Sequence, residues 1–198
     1  MTLRAVPIRG AHPVQGPSLL RLRSDETLVA RFRGGDAGAY EAIVARYRER
    51  LLAYARSVLR GSDEAEDVIQ DVFLRAHRAL LADDRAMTLK PWLYRIAHNR
   101  CMDVLRRQVP QTDELSEQHP SALDVAGHAQ AREEFEAIVA DIGGLPDQQR
   151  SALLIRELEG LSYEDLATTL DTTVGAIKSL LVRARVNLAE AAEARAAA

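Results

Sequence analysis

Apolar residues recur along this chain at intervals of three and four, in runs long enough for helices. Tyr40, Ile43, Val44, Tyr47, Leu51, Ala55 and Val58 fall on one stripe, with Asp36 placed to cap the run and Gly61-Ser62 to end it. Asp63 to Leu81 repeats the pattern, with Ala65, Val68, Ile69, Val72, Phe73, Ala76 and Leu80 on the inward side. A third run opens at Pro91, where proline favours a helix start. It extends through Arg107 with Leu93, Ile96, Ala97, Cys101, Val104 and Leu105 facing in. Ahead of all three, Ser24-Asp25-Glu26 predicts the capped start of a short helix that Gly34-Gly35 closes. No stretch alternates with the period of a strand.

The period is lost between Gln108 and about Gly127, where Pro110, Pro120, Asp113, Glu114, Glu117 and Asp124 make a polar, acidic linker. Helical spacing resumes at Ala131 and runs to Ile142, with a break expected at Gly143-Gly144. Pro146 to Leu158 follows, then a pair of helices, Leu161 to Leu170 and Val174 past Leu188, divided by Asp171-Thr172-Thr173. The expected fold is all-α, two helical domains joined by a flexible linker. Its parts are an N-terminal arm (1–23), a first domain (24–107), the linker (108–130) and a second domain (131–198).

Composition narrows the class. With 198 residues and 47% hydrophobic content the chain can bury a core, and 5% aromatic content favours helix over sheet. The net charge of −3 requires any nucleic-acid binding to come from local basic faces. Cys101 stands alone, which excludes an internal disulfide and suits a reducing compartment. No apolar run approaches the ~18 residues of a membrane span. In the arm, Pro7, Gly10, Pro13, Gly16 and Pro17 interrupt any signal-peptide core. A cytoplasmic protein without membrane contact of its own is expected.

Three surfaces carry candidate chemistry. The last helix pair has the form of a helix-turn-helix, and its second member bears Lys178, Arg183 and Arg185 with no acid before Glu190. Its apolar residues turned inward leave Thr172, Thr173, Gly175, Ala176, Lys178, Ser179 and Arg183 facing out at the leading end. Small and hydroxyl residues allow close approach to a DNA groove, and the cations read phosphates or base edges. A solvated amphipathic helix is the plainer alternative, but it explains neither the turn nor the charge asymmetry.

The helix from Pro91 carries a second basic face. Lys90, Arg95, Arg100, Arg106 and Arg107 stand against one acid, Asp103, with Trp92, Tyr94, His98 and Asn99 interleaved, a composition suited to unpaired bases. The same cations also fit a structural reading, since Asp103 can pair with Arg107 one turn on. On the preceding helix, Asp67, Gln70, Asp71, Leu74 and Arg75 share a mixed face that could dock a basic protein helix.

Catalysis finds no support. GxxxxGK, GxSxG, HExxH and CxxC are all absent, so no enzymatic activity, cofactor or metal is expected. A zinc site on His98 and Cys101 is the remaining enzyme reading, and its spacing is loose.

Three segments together resemble the extracytoplasmic-function (ECF) sigma factors of the sigma-70 family. Glu66 to Leu80 (EDVIQDVFLRAHRAL) is similar to the family's core-polymerase-binding helix, and Pro91 to Arg107 (PWLYRIAHNRCMDVLRR) to its promoter −10 segment, both in region two. Leu145 to Leu154, Glu159 to Ala167, Gly175 to Ser179 and Arg183-Ala184-Arg185 are similar to region four. The resemblance implies that Asp67, Gln70, Asp71, Leu74 and Arg75 meet the β′ clamp helices of core RNA polymerase. Lys90, Arg95, His98, Asn99, Asp103, Arg106 and Arg107 would meet the −10 element, and the loop Ala82–Lys90 would hold a flipped base. Thr172, Thr173, Gly175, Ala176, Lys178, Ser179 and Arg183 would meet the −35 element, with the β flap as a further polymerase contact. Promoter DNA and an anti-sigma factor are the other implied partners.

The chain departs from the family at Leu180, where an arginine is usual; the change removes one cation and suggests an apolar patch. A helix-turn-helix regulator of duplex operators, outside the polymerase, is the competing reading. The face at Asp67–Arg75 separates the two, because such a regulator has no use for it.

Overall fold

The computed structural model describes residues 20, 22–108 and 129–197, so most of the arm and the linker lies outside the described residues. The described residues form eight helices and no strand. The first four are α1 (Asp25–Arg33), α2 (Ala37–Val58), α3 (Glu64–Ala82) and α4 (Leu89–Gln108). The second group is α5 (Ala129–Gly144), α6 (Asp147–Glu159), α7 (Tyr163–Thr169) and α8 (Val174–Ala196).

Local chemistry accounts for most boundaries. Ser24 caps α1 by accepting from the Thr27 amide at 3.3 Å, and Asp25 and Glu26 complement the dipole of the first turn. Asp36 stands at the N-cap of α2, but its carboxylate accepts from Arg31 Nε at 2.8 Å instead of from the helix amides. The glycine pair at 143–144 does not break α5 as expected. The helix continues through Gly144 and stops before Pro146, because neither glycine adopts a positive φ and proline cannot supply the next amide. Pro91 sits inside the first turn of α4, where its missing amide costs nothing.

Helices α1 to α4 bury one apolar core. Ile43, Leu51 and Val58 of α2, Val72 and Leu80 of α3, and Leu93, Ala97 and Cys101 of α4 are closed to solvent. Phe32, Tyr40 and His77 stack at one edge, their ring centroids 4.8 to 5.0 Å apart. The same buried cluster continues into the second unit with Ile155, Leu166, Ile177, Leu181 and Ala184.

The two units pack against each other, with α6 and α7 on the end of α2 and the start of α4. Arg150 of α6 is fully buried, and its guanidinium donates to the carbonyls of Gly143, Leu145 and Val58 and to Asp147 Oδ1. The Val58 bond, 2.8 Å long, crosses from one unit to the other. A second crossing bond runs from Thr169 Oγ1 to the Pro91 carbonyl at 3.3 Å.

Candidate functional site

On α3, the acid-rich start and the apolar inner stripe leave a mixed outer face. Asp67, Gln70, Leu74 and Arg75 are exposed, and Leu74 keeps half of its surface open to solvent. Asp67, Gln70 and Leu74 border a groove of about 440 Å³ between α2 and α3, floored by Val44, Ile69 and Phe73 and rimmed by Arg48 and Glu66. Asp71 is less open. Its carboxylate binds Arg75 Nε at 2.8 Å on its own helix and Arg100 Nε at 2.6 Å on α4. Asp71 therefore joins α3 to α4 as well as contributing to the outer face.

On α4, Arg95, Asn99 and Arg106 are exposed with Asp103 between them, half-open to solvent. At about 100° per residue these positions fall within one third of the helix circumference. Asp103 accepts from Arg100 Nη1 at 3.0 Å and lies 3.6 Å from Arg106 Nη1, while Arg107 Nε bonds the Asp103 carbonyl. His98, expected on this polar face, is turned inward instead. It is 8% exposed, with Nδ1 3.2 Å from the Tyr54 hydroxyl. Burial, with the nearby charge of Arg106, pushes its pKa down to about 4.

Lys90 is separated from the others in a different way. It lies roughly half a helical circumference from Asn99 and points into the contact between units, 3.5 Å from Glu159 Oε2. Trp92, interleaved with the basic residues in sequence, is half-buried.

The loop between α3 and α4 is organised by a residue that periodicity alone does not single out. Arg33, at the end of α1, donates to the carbonyls of Leu80, Asp83, Asp84 and Arg85. One guanidinium thus fixes the path of a segment with no regular structure of its own. The sequence signal for it is faint, an arginine in the last turn of a short helix, where a dipole complement is the ordinary explanation.

The second unit presents its basic helix as the spacing predicts. Ser162 caps α7 by accepting from the Asp165 amide at 3.0 Å. Asp171, with φ +51°, makes the turn, and Thr173 caps α8 by accepting from the Ala176 amide at 3.2 Å. Thr172, Thr173, Gly175, Lys178, Ser179 and Arg183 are exposed, and Ala176 is half-exposed among them. Two hydroxyls on this face are engaged locally, that of Thr173 in the cap and that of Ser179 on the Gly175 carbonyl at 3.1 Å. Leu180 is half-buried against the core of the unit, and the open apolar residues of α8 are Val182 and Val186. The apolar patch suggested by the missing arginine is therefore not at Leu180 itself.

Among the described residues no group of three or more His, Cys, Asp or Glu is placed to hold a metal ion. Burial raises the Cys101 thiol to about 12, which disfavours the thiolate that zinc requires. No described helix is long and apolar enough to cross a membrane.

Comparison with known proteins identifies the family. The sigma-70 region 2 family matches residues 43–110, and the sigma-70 region 4 family matches residues 135–188. The chain is 36% identical to the RNA polymerase sigma-H factor of Pseudomonas aeruginosa over 179 residues, which cover 84% of this chain and 93% of that protein. It is 34% identical to the ECF RNA polymerase sigma factor SigM of Mycobacterium tuberculosis, with 84% of each chain covered. The chain belongs to the ECF sigma factors of the sigma-70 family.

This sigma factor also shares its fold with CnrH in complex with the cytosolic domain of CnrY. The TM-score is 0.67 at 26% identity, covering 86% of this chain and 97% of that one. The sigma factor RpoE of Bartonella quintana, in complex with the anti-sigma factor NepR, gives a TM-score of 0.59 at 24% identity, covering 78% and 96%, and shows the fold alone. The protein is a promoter-directing sigma factor of RNA polymerase, and the operator-binding regulator is set aside.

Proposed function

We propose that this sigma factor divides its work among the three surfaces described above. The face of Asp67, Gln70, Leu74 and Arg75, with Asp71 at its edge, docks core RNA polymerase on the β′ clamp helices. Arg95, Asn99, Asp103, Arg106 and Arg107 meet the −10 element, and Lys90 joins them once it leaves Glu159. His98 holds the helix from beneath. The leading end of α8 enters the major groove of the −35 element with Lys178, Ser179 and Arg183, and the second unit also meets the β flap.

The observation that carries this reading is the groove beside α3. An open leucine among acids, an amide and an arginine suits a protein helix better than a nucleic acid. The two cationic faces stand on separate helices, α4 and α8, as recognition of two DNA elements needs. The protein acts by binding alone, since unstacking promoter bases costs a few kcal/mol per step and captured bases return it. It works in the cytoplasm, where polymerase and DNA are. The structure of CnrH in complex with the cytosolic domain of CnrY supports a regulatory protein as a further partner.

The test is transcription with purified core polymerase. Adding the protein is expected to give a stoichiometric complex on a sizing column and transcripts from defined starts on cognate promoter DNA. Folded protein that neither co-elutes nor directs a start site would remove the assignment of these surfaces.

A further inference from the structure

Leu180 packs against the core of its unit, and the outward apolar residues of α8 stand elsewhere. Val182 and Val186 keep 59% and 49% of their surface open. At about 100° per residue, Gly175, Ser179, Val182 and Val186 fall within an arc of about 60°. The arc lies opposite Ile177, Leu181 and Ala184, which are closed to solvent. Lys178 flanks it on one side and Arg183 on the other. Lys178, Ser179, Val182 and Arg183 together line a shallow depression of about 290 Å³. The outer face of α8 thus has a small, apolar centre between two cationic edges, and no acid interrupts the helix before Glu190.

A helix seated in the major groove turns its flanks to the phosphate walls and its centre to the base edges. The cations at the edges suit the walls. At the centre, the Ser179 hydroxyl donates to the Gly175 carbonyl at 3.1 Å, so it offers a base only its lone pairs. Val182 beside it offers neither donor nor acceptor. In the major groove thymine alone presents a methyl group, and the other bases are marked by polar atoms. A valine over a polar edge strips water from donors and acceptors without replacing it. Over a thymine methyl it buries apolar surface on both partners. Distance along the helix separates the two valines. At 1.5 Å per residue Val182 stands about 12 Å from Val174, comparable to the width of the groove, and Val186 about 18 Å. Base contacts come from the leading end of such a helix, so Val182 is the valine within reach.

We infer that Val182 is a specificity-determining residue of the −35 contact, selecting a thymine by its methyl group at one position of the element. The inference rests on the −35 reading given above and deepens it: Lys178 and Arg183 supply attraction to DNA, and Val182 supplies a choice of base.

The experiment uses holoenzyme, assembled from the full chain and core polymerase, to select promoter duplexes from a library randomised through the −35 segment. A thymine is expected at one fixed position, on either strand. Replacing it by deoxyuridine removes the methyl alone and should weaken binding by the parent about fourfold, the effect of one buried group of that size. In Val182→Ala the same replacement should cost less than about twofold, because most of the surface facing the methyl is gone. Alanine is a good helix former at this exposed position, so the fold is kept. Val186→Ala, one turn further on, should retain the parental response. A selected −35 sequence without a sensitive thymine, or an undiminished deoxyuridine effect in Val182→Ala, overturns the inference and leaves the −35 reading standing. Weakened binding of Val182→Ala to core polymerase, with its deoxyuridine response unchanged, would make the stripe a protein contact and sink the inference as well. No enrichment in the randomised segment, with holoenzyme formed, removes the −35 reading itself and the inference with it.

Discussion

The Asp71 carboxylate stands 2.6 Å from Arg100 Nε, so a residue on the proposed docking face also ties α3 to α4. A variant at Asp71 therefore mixes two effects. Asp71→Arg would put a third cation beside Arg75 and Arg100 and disturb the helix pair as well as the outer face. Leu74 is free of this ambiguity because it is open to solvent and not part of the core.

Leu74→Arg is accordingly the cleaner probe of docking. It is expected to weaken binding to core polymerase at least tenfold while leaving the urea midpoint within experimental scatter. Asp71→Asn is expected to lower stability by about 1 kcal/mol, the ordinary size for partly exposed pairs. Titration against polymerase and urea unfolding of both variants check this. Undiminished affinity in Leu74→Arg would move the docking site elsewhere.

His98 gives the fold a pH dependence. Its pKa falls from an ordinary 6.5 to about 4 on burial, so below pH 6.5 the unfolded chain takes up a proton that the folded chain refuses. Stability is lost as pH drops from about 6.5 towards 4, by about 2 kcal/mol at pH 5. His98→Gln cannot take up that proton and should flatten this part of the profile, whatever its stability at pH 7. Urea midpoints at pH 7 and pH 5 for the two proteins decide it, and equal slopes would show that His98 is not the group responsible.

The sequence made the helices and the outward residues of α8 legible because both depend on spacing within one element. Ser24 is a cap that reads directly, since the partner amide lies three residues on. What it did not show depends on contacts between distant segments. His98 shares a helix with Arg95 and Asn99, but its burial follows from Tyr54 on α2. Arg33 looks like an end-of-helix charge until the loop 83–85 is folded over it. Glu159 closes an amphipathic helix with nothing in the local pattern to reveal Arg50 and Lys90. Two glycines suggested a helix end that Pro146, further on, in fact sets.

The leading end of α8 predicts a separable effect on the −35 element. Lys178 and Arg183 border the same shallow depression as Ser179 and Val182, and both cations are exposed. Lys178→Ala with Arg183→Ala should cost about 1–3 kcal/mol per lost contact on promoters that depend on −35 recognition. Polymerase binding should be unchanged. Comparing transcription from templates with intact and scrambled −35 elements isolates the loss, and equal activity of parent and variant on the intact template would rule out this face.

Arg33 predicts a defect in opening without one in docking. Its guanidinium holds four backbone carbonyls, those of Leu80, Asp83, Asp84 and Arg85, leaving the side chains of Asp84 and Arg85 largely in solvent. If the loop takes the role the resemblance implies and receives an extruded base, it benefits from being ordered beforehand, because ordering it during capture consumes binding free energy. In Arg33→Ala the loop loses that anchor, and open-complex formation should slow by roughly tenfold, about 1.4 kcal/mol on the barrier. Arg33→Lys, with one ammonium in place of a fork of five donors, should recover only part of the rate. Permanganate reactivity of unpaired thymines against time measures opening, and co-elution measures docking. If Arg33→Ala opened promoters at the parental rate, the loop would need no pre-ordering; if it lost polymerase as well, Arg33 would serve the fold of the whole unit.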